Sequence, residues 1–200
     1  MTEPVKRKKR NLPKIISSEE AASVLAAADD GTNVGLRNRL MLDLMYRAGL
    51  RVSEVCDITP RQIHRDGTID IFDAKGGDGT AYFDADRILP QLDRWLEIRK
   101  DWYNGPKGPM PNLFIKPNGF RVSPRYLQRL MVKLRADIGI TGVLTPHVLR
   151  HTFATENLEE GLSLVEVQSL LRHAHMATTT VYLHVRDKAL RDKMSRRGKR

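Results

Sequence analysis

A mixed α/β domain, mostly α-helical with a small antiparallel β-sheet, is predicted by three features of the sequence. Apolar residues recur at helical spacing through most of the chain. One stretch, Thr68 to Phe83, instead alternates apolar and polar residues on either side of a glycine-rich turn, the pattern of a two-stranded hairpin. Capping side chains stand ahead of several helical runs, and glycines stand behind them.

Residues 1–16 read as a basic arm or linker, with Lys6, Arg7, Lys8, Lys9 and Arg10 in one run and little apolar periodicity. Ser17-Ser18-Glu19-Glu20 opens a first helix reaching about Ala28, and Asp30-Gly31-Thr32 ends it. Arg37 to about Ala48 carries Leu40, Met41, Leu42, Leu44 and Met45, the near-continuous apolar content of a central buried helix, and Gly49 stops it. A short helix is predicted from Ser53 to Ile58, before Pro60, with Ser53 as cap and Glu54 as first-turn acid.

The hairpin follows. Thr68 to Phe72 and Ala81 to Phe83 are its strands and Gly76 to Gly79 its turn, which puts Lys75 at the junction of strand and turn. Pro90 to about Tyr103 predicts an amphipathic helix, residues 104–111 a loop, and Leu113 to Ile115 a short strand-like run. Ser123-Pro124 caps a helix to about Ile138, on which Arg125, Arg129, Lys133 and Arg135 form either a DNA-backbone-binding face or an ordinary solvated surface.

Thr145-Pro146 and Gly161 bracket the next helix, with His147 and Arg150 three apart on one face. Ser163 and Glu166 make a capping-box pattern for a helix ending near Arg172, just before His173. The run Ala177 to Thr180 offers caps for a further short helix that would carry Tyr182.

The order His147-x-x-Arg150, Leu170-Leu171-x-His173 and Thr178-Thr179-x-x-Tyr182-x-His184 resembles the tyrosine recombinase, or phage integrase, family. Upstream, Gly49-Leu50-Arg51-Val52-Ser53-Glu54 resembles that family's other signature, and Lys75 stands where the family carries a hairpin lysine. Asp78 and Thr80 depart from the pattern, since related hairpins commonly carry more basic residues there. The resemblance runs from about Ser17 to Val185, leaving 186–200 as a basic tail. It implies the catalytic-domain fold of DNA breaking-rejoining enzymes and a site made of Arg51, Lys75, His147, Arg150, His173 and Tyr182, the last as nucleophile.

Those residue types suit phosphodiester exchange. A phenolate attacks phosphorus and keeps the bond energy in a phosphotyrosyl link, and two planar guanidinium forks match the non-bridging oxygens. His147 is then a general base or phosphate partner, His173 a second donor, and Lys75 the acid for the departing 5′ oxygen. The chemistry calls for no cofactor and no metal. The resemblance further implies double-stranded DNA as partner and a homotetramer on two DNA sites. Residues 186–200 hold few apolar side chains, so the chain alone is expected to be monomeric. Family members carry an additional DNA-clamping domain ahead of the catalytic one. This chain has no room for it, as an excised fragment or a natural minimal recombinase would not.

Composition agrees. A formal net charge of +10 points to a polyanionic partner, although the basic ends hold much of the excess. Cys56 is the only cysteine, which speaks against a disulfide framework and fits a reducing cytoplasm. No apolar run approaches membrane-spanning length. Three rivals stay open. A zinc hydrolase would use the close-set His147, His151, His173 and His175, but lacks the intervening glutamate and any nearby cysteine. A catalytically inactive DNA-binding module would show a broken catalytic set, and a type IB topoisomerase-like enzyme would use the same nucleophile and cations.

Overall fold

The fold is described from a computed structural model, for residues 14–72, 78–103 and 112–172. Lys6 to Arg10, Lys75, His173 and Tyr182 lie outside the described residues, as do the tail 186–200 and the loop 104–111.

Seven helices and one two-stranded antiparallel sheet make up the described chain. Helix α1 (Ser18–Ala28) starts at a complete capping box, the Ser17 hydroxyl accepting from the Glu20 N–H and the Glu20 carboxylate from the Ser17 N–H. Helix α2 (Asn33–Arg47) begins four residues ahead of the predicted Arg37, because the Thr32 hydroxyl accepts from the Gly35 N–H and so carries Asn33 and Gly35, poor helix formers, into the first turn. It is the centre of the molecule: Leu40, Met41, Leu42, Leu44 and Met45 are all fully buried, and α1 packs around it with the later helices Ala85–Trp102 and Pro146–Glu160. Ile16, counted with the arm in the sequence, packs in this core too, its N–H donating to Thr152 Oγ1 at 3.2 Å.

Helix α3 (Val52–Asp57) corrects the expected cap. Arg51, not Ser53, is the N-cap residue, and Glu54 reaches back to accept its N–H at 2.7 Å. A short 3₁₀ turn, Pro60–Gln62, leads to β1 (Thr68–Ile71), which pairs with β2 (Gly79–Tyr82) so that Ile69 faces Ala81 and Ile71 faces Gly79. Phe72 lies just past β1 and is exposed.

Helix α4 (Ala85–Trp102) begins five residues before Pro90, capped by Asp84. Pro90 therefore lies inside it rather than at its first position. The ring removes one donor, and the carbonyl left without it belongs to exposed Asp86, where water can serve. Trp95 of α4 is fully buried and donates from its indole N–H to the Leu113 carbonyl at 3.0 Å.

Leu113 to Ile115 is held by an isolated bridge, Ile115 with Arg121, rather than by a strand. The buried Arg37 guanidinium on α2 stabilises this segment through the Ile115 carbonyl, and its other bonds go to Asn38 Oδ1 and the Tyr126 hydroxyl. Helix α5 (Pro124–Ile138) ends on left-handed Gly139, and α6 (Pro146–Glu160) runs from Thr145 to left-handed Gly161 as its sequence signals. Helix α7 (Leu164–Leu170) opens on the Ser163–Glu166 capping box, and its Val167 and the C-cap residue Leu171 bury against Phe153, Ala154 and Leu158 of α6 in a second small core.

Candidate active site

The turn after α2 sets the geometry of the site. Gly49 takes φ 61°, and a Cβ there would stand 2.6 Å from the Phe153 ring of α6. Only glycine lets the chain turn this tightly against α6. The turn buries Leu50 and makes Arg51 the start of α3. It also presents the Gly49 carbonyl to α6, where Arg150 Nη1 donates to it. Arg150 Nη2 donates to the Leu171 carbonyl at the end of α7, so one buried guanidinium joins the α2–α3 turn, α6 and α7. Gly49→Ala should therefore cost on the order of 2–4 kcal/mol, from the left-handed backbone and the displaced Phe153 ring. Urea unfolding should show this as a lower midpoint, and a midpoint equal to the parent's would contradict the packing described.

Glu54 is the hub. Its side chain is 7% exposed, and three arginines surround it: Arg51 Nη1 at 2.6 Å from Oε1, Arg172 Nη2 at 2.8 Å from Oε2, and Arg150 Nη1 at 3.7 Å from Oε2. Burial alone would raise the pKa of this carboxyl. The Arg172 charge, the Arg51 N–H, and the Arg150 and Arg51 charges outweigh burial and hold it below its ordinary 4.5. Glu54 is thus ionised at neutral pH, and three guanidinium charges against one carboxylate leave the cluster strongly positive. Such a cluster attracts an anion, and Arg51, 30% exposed, is its most open member.

His147 lies one turn ahead of Arg150 on α6 and is exposed. His151, one turn beyond it, is pushed below its ordinary 6.5 by burial first, then by His147 and Arg150, and is neutral at pH 7. Among the described residues, no group of three or more His, Cys, Asp or Glu side chains stands together to hold a metal ion. No described helix is long and apolar enough to cross a membrane.

Of the six sequence-predicted catalytic residues, the structure brings Arg51 and Arg150 together on Glu54 and sets His147 on the same helix as Arg150. Lys75, His173 and Tyr182 lie outside the described residues. His173 directly follows Arg172 in sequence, and Lys75 precedes Gly79 of β2 by four residues. Other nucleophiles are poorly placed: burial pushes the Cys56 thiol up to about 12, and burial with a Glu156 hydrogen bond pushes the Tyr46 phenol up to about 12. On α5, Arg125, Arg129 and Lys133 are exposed at four-residue spacing along one face, while Arg135 turns to the Ile140 and Thr141 carbonyls.

Two residues of the cluster escaped the sequence reading. Glu54 was legible only as a first-turn acid, and its spacing from Arg51 was the available signal. Arg172 offered none, since Gly49 and Glu54, which it joins in the cluster, lie more than a hundred positions earlier.

The sequence matches the phage integrase family over residues 14–189. It is 36% identical over 180 residues to the tyrosine recombinase XerC of Vibrio vulnificus, covering 90% of this chain and 55% of that protein. The fold is similar to that of a XerA recombinase crystal structure, with TM-score 0.78 and 27% identity over 94% of this chain and 66% of that one. It is equally similar, with TM-score 0.78 and 25% identity over 92% of this chain and 53% of that one, to the site-specific recombinase XerH bound to palindromic difH substrate in a post-cleavage complex. The chain spans about 55–62% of the length of the curated relatives it matches.

Proposed function

The chain belongs to the phage integrase family, and we propose that it cuts and rejoins double-stranded DNA in site-specific recombination, with Tyr182 as nucleophile. The observation that carries this reading is the buried Glu54 carboxylate with Arg51 and Arg150 gathered on it, Arg150 one turn along α6 from His147, at the point from which the chain leads into His173 and Tyr182. In the step proposed, the Tyr182 oxygen bonds to phosphorus and the bond to the 5′ oxygen breaks, leaving a 3′-phosphotyrosyl link. Arg51 and Arg150 neutralise the non-bridging oxygens, His147 takes the Tyr182 proton as general base, and His173 hydrogen-bonds the phosphate. The departing 5′ oxygen takes its proton from Lys75. A 5′ hydroxyl from another strand then reverses the step and completes the exchange.

Exchange between two duplexes needs a pair of active sites on each, so the assembly proposed is a tetramer on two DNA sites, formed from chains that are monomeric without DNA. Phosphate contacts by Lys6 to Arg10 and by Arg125, Arg129 and Lys133 would add affinity that weakens steeply with salt. The lone, buried Cys56 suits a reducing cytoplasm.

Topoisomerase-like relaxation uses the same cations and nucleophile, so the discriminating test compares products. Target sequences selected as covalent adducts from a library of nicked duplexes are placed once or twice on supercoiled plasmids. Recombined circles from the two-site plasmid support the proposal. Relaxation of both plasmids with no recombined product supports the topoisomerase reading, and no adduct at all points to an inactive DNA-binding module.

A further inference from the structure

Arg172 has no part in the assignments above, yet it is held more firmly than any of them requires. It is the one non-glycine residue with positive φ, 52°, among those described. Its side chain is 8% exposed, with Nη2 on Glu54 Oε2 at 2.8 Å and Nη1 on the Leu170 carbonyl at 2.8 Å. Its own carbonyl accepts from Arg51 Nη2 at 3.2 Å. Its Nε is buried with no hydrogen-bond partner among the described residues. Its stem lies flush on β2, where a Cβ added at Gly79 would meet Arg172 Cδ at 3.0 Å and Cγ at 3.1 Å. A strained backbone and a buried orphan donor persist only where the surroundings over-determine a side chain.

Resting on the strand-cleavage reading, we propose that Arg172 is a positioning residue: it occupies Glu54 Oε2 and thereby keeps the carboxylate from drawing Arg150 off the scissile phosphate, while tying β2 to the arginine cluster. The distances support this division. Oε1 bonds the Arg51 guanidinium, and Oε2 bonds the Arg51 N–H and Arg172, which leaves Arg150 at 3.7 Å, beyond hydrogen-bond length. Without Arg172, Oε2 loses the guanidinium bonded to it at 2.8 Å in a buried site, and Arg150, at 3.7 Å, is close enough to replace it. An Arg150 that moved onto Glu54 would leave the Gly49 and Leu171 carbonyls that aim it.

The test is single-turnover adduct formation on a nicked duplex at saturating DNA, with DNA affinity and thermal unfolding measured alongside. Arg172→Met should lower the cleavage rate about a hundredfold, the usual effect of a misplacement near 1 Å, and leave DNA affinity near that of the parent. Arg172→Lys, which keeps a charge on Oε2, should lose less. In an Arg150→Ala background Arg172→Met should cost nothing further, because the group it positions is gone, whereas a merely structural role would subtract the same factor in both backgrounds. Should Arg172→Met fail to fold, Gly79→Ala displaces the same side chain without removing any ionisable group, and it should likewise slow cleavage only while Arg150 is present. Parent-rate cleavage by these variants, or losses that multiply with that of Arg150→Ala, would overturn the assignment. Absence of adduct from the parent protein would overturn the strand-cleavage reading itself, and this proposal with it.

Discussion

Arg150→Ala should cleave slowly both on ordinary DNA and on DNA with sulfur at the bridging 5′ position, whereas Lys75→Ala should be slow on the first and near the parent rate on the second. The two residues are assigned different tasks, and the leaving group separates them. An alkoxide departs poorly without a proton, so loss of the acid should cost about 10²–10⁴-fold on ordinary DNA. A thiolate needs little help, so sulfur should restore Lys75→Ala. Charge on the non-bridging oxygens is the same in both substrates, and removing one donor to it should cost about 10²–10³-fold in each. Arg150 is also structural: its guanidinium is 7% exposed and satisfies the Gly49 and Leu171 carbonyls. Arg150→Ala is therefore expected to lower the urea midpoint as well, and its rate is read at denaturant-free, fully folded conditions. If sulfur does not restore Lys75→Ala, the proton comes from another group, with His147 the next candidate.

What could be read from the sequence, and what could not, follows the range of the interactions involved. The starts of α1, α5, α6 and α7 and the glycine end of α6 were legible, because each cap is made by residues within a few positions of one another. The starts of α2 and α4 were not. Gly35 argued against a helix that Thr32 nonetheless caps, and Pro90 read as a first-turn proline although Asp84 starts the helix before it. Arg51 as a cap was missed because it has no capping side chain; the Glu54 carboxylate, reaching back, supplies the acceptor for its N–H. The motif residues Arg51, His147 and Arg150 were identifiable by type and order alone, but the carboxylate that joins two of them was not, since Glu54 meets Arg150 and Arg172 only after α3, α6 and α7 have packed. Local chemistry is written in neighbouring residues; the electrostatic balance of the site is a product of tertiary structure.

Tyr182→Phe should bind DNA as the parent does and form no covalent adduct, because the substitution removes the attacking oxygen and nothing else. This is the largest effect expected of any single atom in the chain. The other four tyrosines make the experiment specific. Tyr46 is buried with its hydroxyl donating to Glu156, and the Tyr126 hydroxyl is engaged with Arg37 and Asn38, so neither phenol is disposed to attack phosphorus. Tyr82 on β2 and Tyr103 after α4 are exposed, and they are the internal controls for adventitious attachment.

The measurement that bears most directly on the account is the identity of the DNA-linked peptide. Parent protein trapped on a nicked duplex is digested, and the residue carrying the 3′-phosphoryl group is located by mass spectrometry. The expected result is a single phosphotyrosyl peptide containing Tyr182, absent from Tyr182→Phe. Attachment at Tyr82, Tyr103 or any residue other than Tyr182, or an adduct that persists in Tyr182→Phe, would contradict it.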